Sequence, residues 1–287
     1  MTDTIDRNRS DDLKGLSRRG FGALSVAAGV AVAGVAEAAT EIVETDVNVK
    51  TPDGVADATL HYVKGKKGPA VLVWTDIFGL RPAFRDMGRR LASSGYTVLV
   101  PNPFYRIGHA PQPTEKPDFS TAEGRAKVGA LISGLTVEAV NRDAGAYVDF
   151  LDGHPATNKK AKAGTVGYCM GGPLVFRTAA TRPGRIGAGC SFHGGSLVTA
   201  TPDSPHLLAS KIHSPFYFGV AANDDQRQPD AKDKIKEAFA AAHVPATVVV
   251  YEGCNHGWCV VDGGAYNKDG AERAWAEMVK LYGSALV

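Results

Sequence analysis

Apolar residues in this chain fall into short, nearly unbroken runs separated by longer stretches of helical spacing. Pro69–Thr75, Tyr96–Val100, Ala163–Tyr168, Ile186–Ser191, Pro215–Ala221 and Ala246–Tyr251 have strand length and little alternation, as strands covered on both faces do. Glu44–Thr51 and Ala58–Val63 are Thr- and Val-rich and are split by the turn Pro52-Asp53-Gly54, which reads as a strand pair. Between the buried runs lie segments with helical spacing: Pro82–Ser94 (Phe84, Met87 and Leu91, stopped by Gly95), Ala122–Leu151 with Gly134 as a candidate break, Pro173–Ala180, Ala231–Ala242 and Asp269–Tyr282. Strand–helix alternation of this kind predicts the α/β class, a mostly parallel sheet with helices on both faces. The polar, Pro-rich stretch Gly108–Ser120 reads as a surface loop over the carboxyl ends of the strands, where such sheets bind ligands.

The amino terminus departs from this pattern. Ser17-Arg18-Arg19-Gly20-Phe21 puts paired arginines before the apolar stretch Phe21–Val35, and Ala36-Glu37-Ala38 offers small residues for cleavage. That is the layout of a twin-arginine (Tat) signal peptide over residues 1–38, leaving one domain over 39–287. The stretch is rich in Ala and Gly and shorter than the roughly 20 strongly apolar residues a spanning helix needs. The expectation is export by the Tat machinery, no stable membrane span after cleavage, and a periplasmic or secreted mature protein.

Composition narrows the choice a little further. The 287 residues suffice for one large α/β domain, and a net charge of +2 gives no ground for expecting a nucleic-acid partner. Four cysteines, Cys169, Cys190, Cys254 and Cys259, occur without a Cys-x-x-Cys spacing, so neither a zinc site nor a dithiol redox motif is indicated. Cys254 and Cys259 are near enough in sequence to pair, but spacing does not decide it.

The chemistry centres on Gly167-Tyr168-Cys169-Met170-Gly171-Gly172, at the join between the run Ala163–Tyr168 and the helical segment after it. Gly-x-nucleophile-x-Gly at a strand-to-helix turn is the nucleophile elbow of the α/β-hydrolase fold, here with Cys in the usual place of Ser. A buried, inert thiol is the competing reading of a lone cysteine. What favours a nucleophile is the order of residues downstream. Asp224 follows the strand Pro215–Ala221, and His256 follows the strand Ala246–Tyr251, giving nucleophile, acid and base in the order that fold uses. Asp225 competes with Asp224 for the acid role, and His193, which precedes the acid, reads as structural or pocket-lining. Backbone donors for an oxyanion are expected from Met170, just after the nucleophile, and from Ile77 in the loop after Pro69–Thr75.

These residues resemble the dienelactone hydrolase (carboxymethylenebutenolidase) family. The resemblance is carried by the Cys169 elbow, by Asp76-Ile77-Phe78-Gly79, by Pro101–Arg106 and by Gly253-Cys254-Asn255-His256-Gly257-Trp258, and it spans about Val43 to the carboxyl terminus. It implies an eight-stranded α/β-hydrolase fold, Cys-His-Asp hydrolysis of a small-molecule lactone or ester through an acyl-thioester, and no metal or organic cofactor. It places Asp76 beside the thiol as an activating group, and Arg106, with Tyr105 and Trp258 of the same motifs, at the substrate. The chain departs from the family at two of these points. Asp76 stands where the family has Glu, one methylene shorter, and Val260 stands where the family has a second substrate-binding Arg. An exported ligand-binding protein without catalysis, and a broader carboxylesterase or thioesterase, are the alternatives on the same fold.

Overall fold

The computed structural model describes residues 41–287, so the signal-peptide reading of residues 1–38 falls outside the described residues. Eight strands form one sheet: β1 (Ile42–Thr51), β2 (Gly54–Val63), β3 (Ala70–Trp74), β4 (Thr97–Pro101), β5 (Ala163–Tyr168), β6 (Ile186–Phe192), β7 (Phe216–Ala221) and β8 (Ala246–Tyr251). Their spatial order is β1-β2-β4-β3-β5-β6-β7-β8. The pairs β1–β2 and β2–β4 are antiparallel; β4, β3, β5, β6, β7 and β8 run parallel. The expected mostly parallel α/β sheet is therefore present, with an antiparallel hairpin added at one edge.

The pleat of β3 explains the unbroken apolar run. Ala70, Leu72 and Trp74 enter one core layer, Val71 and Val73 the other. Successive side chains point to opposite faces, so a strand covered twice must be apolar at every position. The first layer is closed by α3 (Val137–Gly153), α4 (Gly171–Thr181) and α6 (Ala231–Ala241). The second is closed by α1 (Pro82–Ser93) and α7 (Lys268–Ala285). Phe176, Phe216, Phe218 and Phe239 pack ring against ring at 5.2–5.8 Å between centroids and anchor β7 between α4 and α6. Burying each is worth about 1.5–3 kcal/mol, and the loop that follows β7 inherits that fixed position.

The long helical stretch is divided into α2 (Ala122–Ile132) and α3, as Gly134 suggested. Thr136 enforces the restart by capping α3, its hydroxyl accepting from the Ala139 amide at 3.2 Å. Two elements have no counterpart in the sequence reading. A 3-10 helix spans Pro205–Lys211, and Asn223-Asp224-Asp225 lies inside the six-residue helix α5 (Ala222–Arg227). Among the described residues no helix is long and apolar enough to cross a membrane.

Candidate active site

Cys169 sits between the end of β5 and the start of α4 with φ +53, a left-handed conformation that costs a non-glycine residue about 1–3 kcal/mol. Three backbone hydrogen bonds hold it there. Its amide donates to the Phe192 carbonyl, and its own carbonyl accepts from the amides of Gly172 and Gly195, all at 3.1 Å. Two glycines make the turn sterically feasible. A Cβ on Gly167 would lie 2.1 Å from the Gly171 carbonyl oxygen, and one on Gly171 would lie 2.5 Å from that of Trp74.

Asp224 and His256 come from neighbouring strand ends. His256 Nδ1 and Asp224 Oδ2 are 2.5 Å apart, and the backbone joins their loops: the Ala222 amide donates to the Cys254 carbonyl at 2.9 Å. Asn223 adds a third tie, its side-chain oxygen accepting from the His256 amide at 2.8 Å. Asp225 instead pairs with Lys232 at 2.7 Å, so the aspartate that meets His256 is Asp224. Burial works against charge on His256, but Asp224 and then the Cys169 sulfur outweigh it, and together they raise its pKa to about 10. Its ordinary value is 6.5, so the imidazolium predominates at neutral pH.

Cys169 and His256 face a cavity of about 620 Å³ whose wall also includes Asp76, Ile77, Met170 and Val260. Among the described residues the amides of Met170 and Ile77 have no acceptor within the protein. His193, at φ +40, is buried and lines the same cavity; its ring stands edge to face with those of His256 (5.2 Å) and Trp258 (5.0 Å). Burial, and then the neighbouring His256 charge, keep its pKa well below the ordinary range, so a neutral ring braces the charged one. The reading of His193 as structural or pocket-lining holds in both senses.

Asp76 lines the cavity but its carboxylate is occupied. Both oxygens accept from Arg81, at 2.6 and 2.9 Å, and Oδ1 also accepts from the Phe78 amide. Arg81 reaches on to Asp262 with two further bonds of 2.7 and 2.9 Å. It ties the loop bearing Ile77 to the loop that follows His256. The carboxylate expected to activate the thiol is thus held in an ion pair with Arg81. Arg81 was missed from sequence because nothing in the chain pairs it with a carboxylate 181 residues away.

Three other expectations are corrected by contacts. Arg106 bonds Asp143 through both terminal nitrogens, at 2.8 and 2.9 Å, and Asp53 at 2.5 Å. Tyr105 is drawn into the same cluster, its hydroxyl donating to Asp143 Oδ1 at 2.7 Å. Neither side chain is on the cavity wall. Trp258 is fully buried behind His193, its ring stacked on Tyr251 at 4.8 Å. All four cysteines are free thiols. Burial pushes Cys190, Cys254 and Cys259 above the ordinary thiol range, which makes them poor nucleophiles; Cys169 is the one cysteine that is half-buried rather than buried.

Comparison with known proteins agrees with this architecture. The family model described as the dienelactone hydrolase family matches residues 56–286. A protein assigned as a carboxymethylenebutenolidase in Methylorubrum extorquens is 31% identical over 277 residues, 92% of this chain and 91% of its own length. The carboxymethylenebutenolidase of Rhodococcus opacus is 28% identical over 190 residues, 66% of this chain and 69% of its own. A crystal structure assigned as a dienelactone hydrolase from Klebsiella pneumoniae superposes with a TM-score of 0.74 at 23% identity, over 85% of this chain and 99% of that one. A dienelactone hydrolase-like promiscuous phosphotriesterase from metagenomic libraries gives 0.69 at 22% identity, over 86% and 99%. At those two identities the likeness speaks for the fold, an α/β-hydrolase sheet. The family match over most of the chain speaks for more: this protein belongs to the dienelactone hydrolase family, as a hydrolase of the lactone and ester type.

Proposed function

We propose that the protein hydrolyses a small-molecule ester or lactone through Cys169, with His256 as acid and base, Asp224 as its orienting carboxylate, and an acyl-thioester as the intermediate. The observation that carries this reading is the His256–Asp224 contact of 2.5 Å beside a cysteine held at positive φ on the same cavity. In the reacting state His256 carries the thiol proton and the sulfur is a thiolate beside the imidazolium. The sulfur attacks the acyl carbon, forming a C–S bond while the carbonyl oxygen takes the negative charge. The amides of Met170 and Ile77 are the donors available to that oxyanion. Collapse breaks the acyl C–O bond, and the leaving oxygen takes the His256 proton; in a lactone this oxygen stays attached as a hydroxyl. Water then attacks the thioester and gives a proton to the neutral imidazole. The second collapse breaks the C–S bond, releases the carboxylic acid and restores the thiolate–imidazolium pair.

Asp76 has a different part in this scheme from direct activation. Held by Arg81, it fixes the turn that presents the Ile77 amide. The test is steady-state hydrolysis of an activated aryl ester. Cys169→Ala is expected to lower kcat at least about 10³-fold, and Asp224→Asn, which removes the orienting charge, by about 10³–10⁴-fold. Full activity in Cys169→Ala would refute the proposal.

A further inference from the structure

The cavity wall carries cations, but each already has a carboxylate. Arg81 is shared between Asp76 and Asp262 through four hydrogen bonds and is buried. Arg227 lies 3.2 Å from Asp224. The charge on His256 is matched by Asp224, with Cys169 alongside. Just outside the wall, Lys116 contacts Asp262 and stands 5.3 Å over the Phe78 ring. Arg106, the arginine expected to receive a substrate carboxylate, is committed to Asp143 and Asp53 away from the cavity.

What faces the remaining volume is apolar. Phe78 and Phe119 meet edge to face at 6.1 Å. Ile132 and Phe119 are exposed at the cavity, 40% and 48%, although they are large and hydrophobic. Met170 and Val260 continue that surface towards Cys169. A carboxylate brought against this part of the wall loses its hydration, at a cost of several kcal/mol for an ion, and the cations on the wall already face carboxylates of the protein. An alkyl or aryl group entering the same space gains about 25 cal/mol for each Å² it buries.

We propose that the acyl side of this site takes uncharged, apolar chains and discriminates against substrates bearing a carboxylate. The inference rests on the hydrolytic reading above and names the substrate class of that site. The apolar wall selects by desolvation, and the ion pairs around it hold the loops rather than the ligand.

The experiment compares 4-nitrophenyl hexanoate with mono-4-nitrophenyl adipate, two esters with the same leaving group and acyl-chain length that differ by a terminal carboxylate. For the unaltered protein the hexanoate is expected to have the higher kcat/KM, by at least about tenfold. Ile132→Arg, which puts an unpaired guanidinium on the exposed rim, is expected to narrow that ratio several-fold by raising the adipate rate, and added salt is expected to restore it. Equal rates, or a preference for the adipate, would overturn the inference, and so would an unchanged ratio in a folded Ile132→Arg. Cys169→Ala is run on both esters. Undiminished hydrolysis there would instead overturn the hydrolytic reading on which the inference depends, so the two failures are told apart.

Discussion

At the scale of single residues, the site is a set of side chains each held by a neighbour the sequence does not place beside it. His256 is set by Asp224, Asn223 and the ring of His193; Asp76 is set by Arg81. The pairing of His256 has a measurable consequence for stability. Its folded pKa of about 10 lies above the ordinary 6.5, so between those values the native state binds a proton that the unfolded chain releases. The stabilisation it gives is complete below about pH 6.5 and is lost as pH rises towards about 10. Urea midpoints across that range are expected to fall more steeply for the unaltered protein than for Asp224→Asn. Parallel profiles for the two would show that the carboxylate does not hold the proton. Groups common to both proteins, such as exposed lysines, cancel in that comparison.

At the scale of elements, the elbow and the loop after β3 form one mechanical unit. The Cα of Gly171 is packed so tightly that a Cβ there would lie 2.5 Å from the Trp74 oxygen and 2.7 Å from that of Thr75. Thr75 directly precedes Asp76 and Ile77, so a methyl group at Gly171 pushes on the strand end from which the Ile77 amide is presented. Gly171→Ala is expected to cost about 1–3 kcal/mol and to lower kcat by more than it raises KM. A folded variant with unchanged kcat would mean that the packing has no part in presenting that amide.

The elements themselves were largely legible in the chain. β5, buried at every position, and the partly buried edge strand β8 have in the structure the bounds that their runs suggested, Ala163–Tyr168 and Ala246–Tyr251. The order Cys169, Asp224, His256 was legible because each residue follows a strand, and parallel strands end on the same edge of the sheet. The short helix α5 was not legible, because Asn-Asp-Asp suits a turn as well as a first helical turn. Nor were the ion pairs. Arg106, in the loop after β4, meets Asp143 of α3 only in the folded domain, and the partner of a charged side chain depends on tertiary geometry that no local pattern encodes.

At the scale of the whole described domain, the sheet order brings the three strand ends together. β5, β6, β7 and β8 are consecutive and parallel, so the loops after β5, β7 and β8 open at one edge, and β3, paired with β5, brings its own loop from the other side. The antiparallel hairpin β1–β2 lies at the far edge and takes Arg106, through Asp53, out of reach of the cavity. One consequence is a cavity that holds a single half-buried thiol. The most direct measurement is therefore of the bond that thiol is proposed to form. The unaltered protein is mixed with excess activated ester, quenched in acid during turnover, digested and analysed by mass spectrometry. An added acyl mass is expected on the peptide carrying Cys169, absent from Cys169→Ala and gone once substrate is exhausted. Turnover with Cys169 unmodified throughout, or an acyl mass on another residue that accumulates and decays at the catalytic rate, would contradict the proposed mechanism.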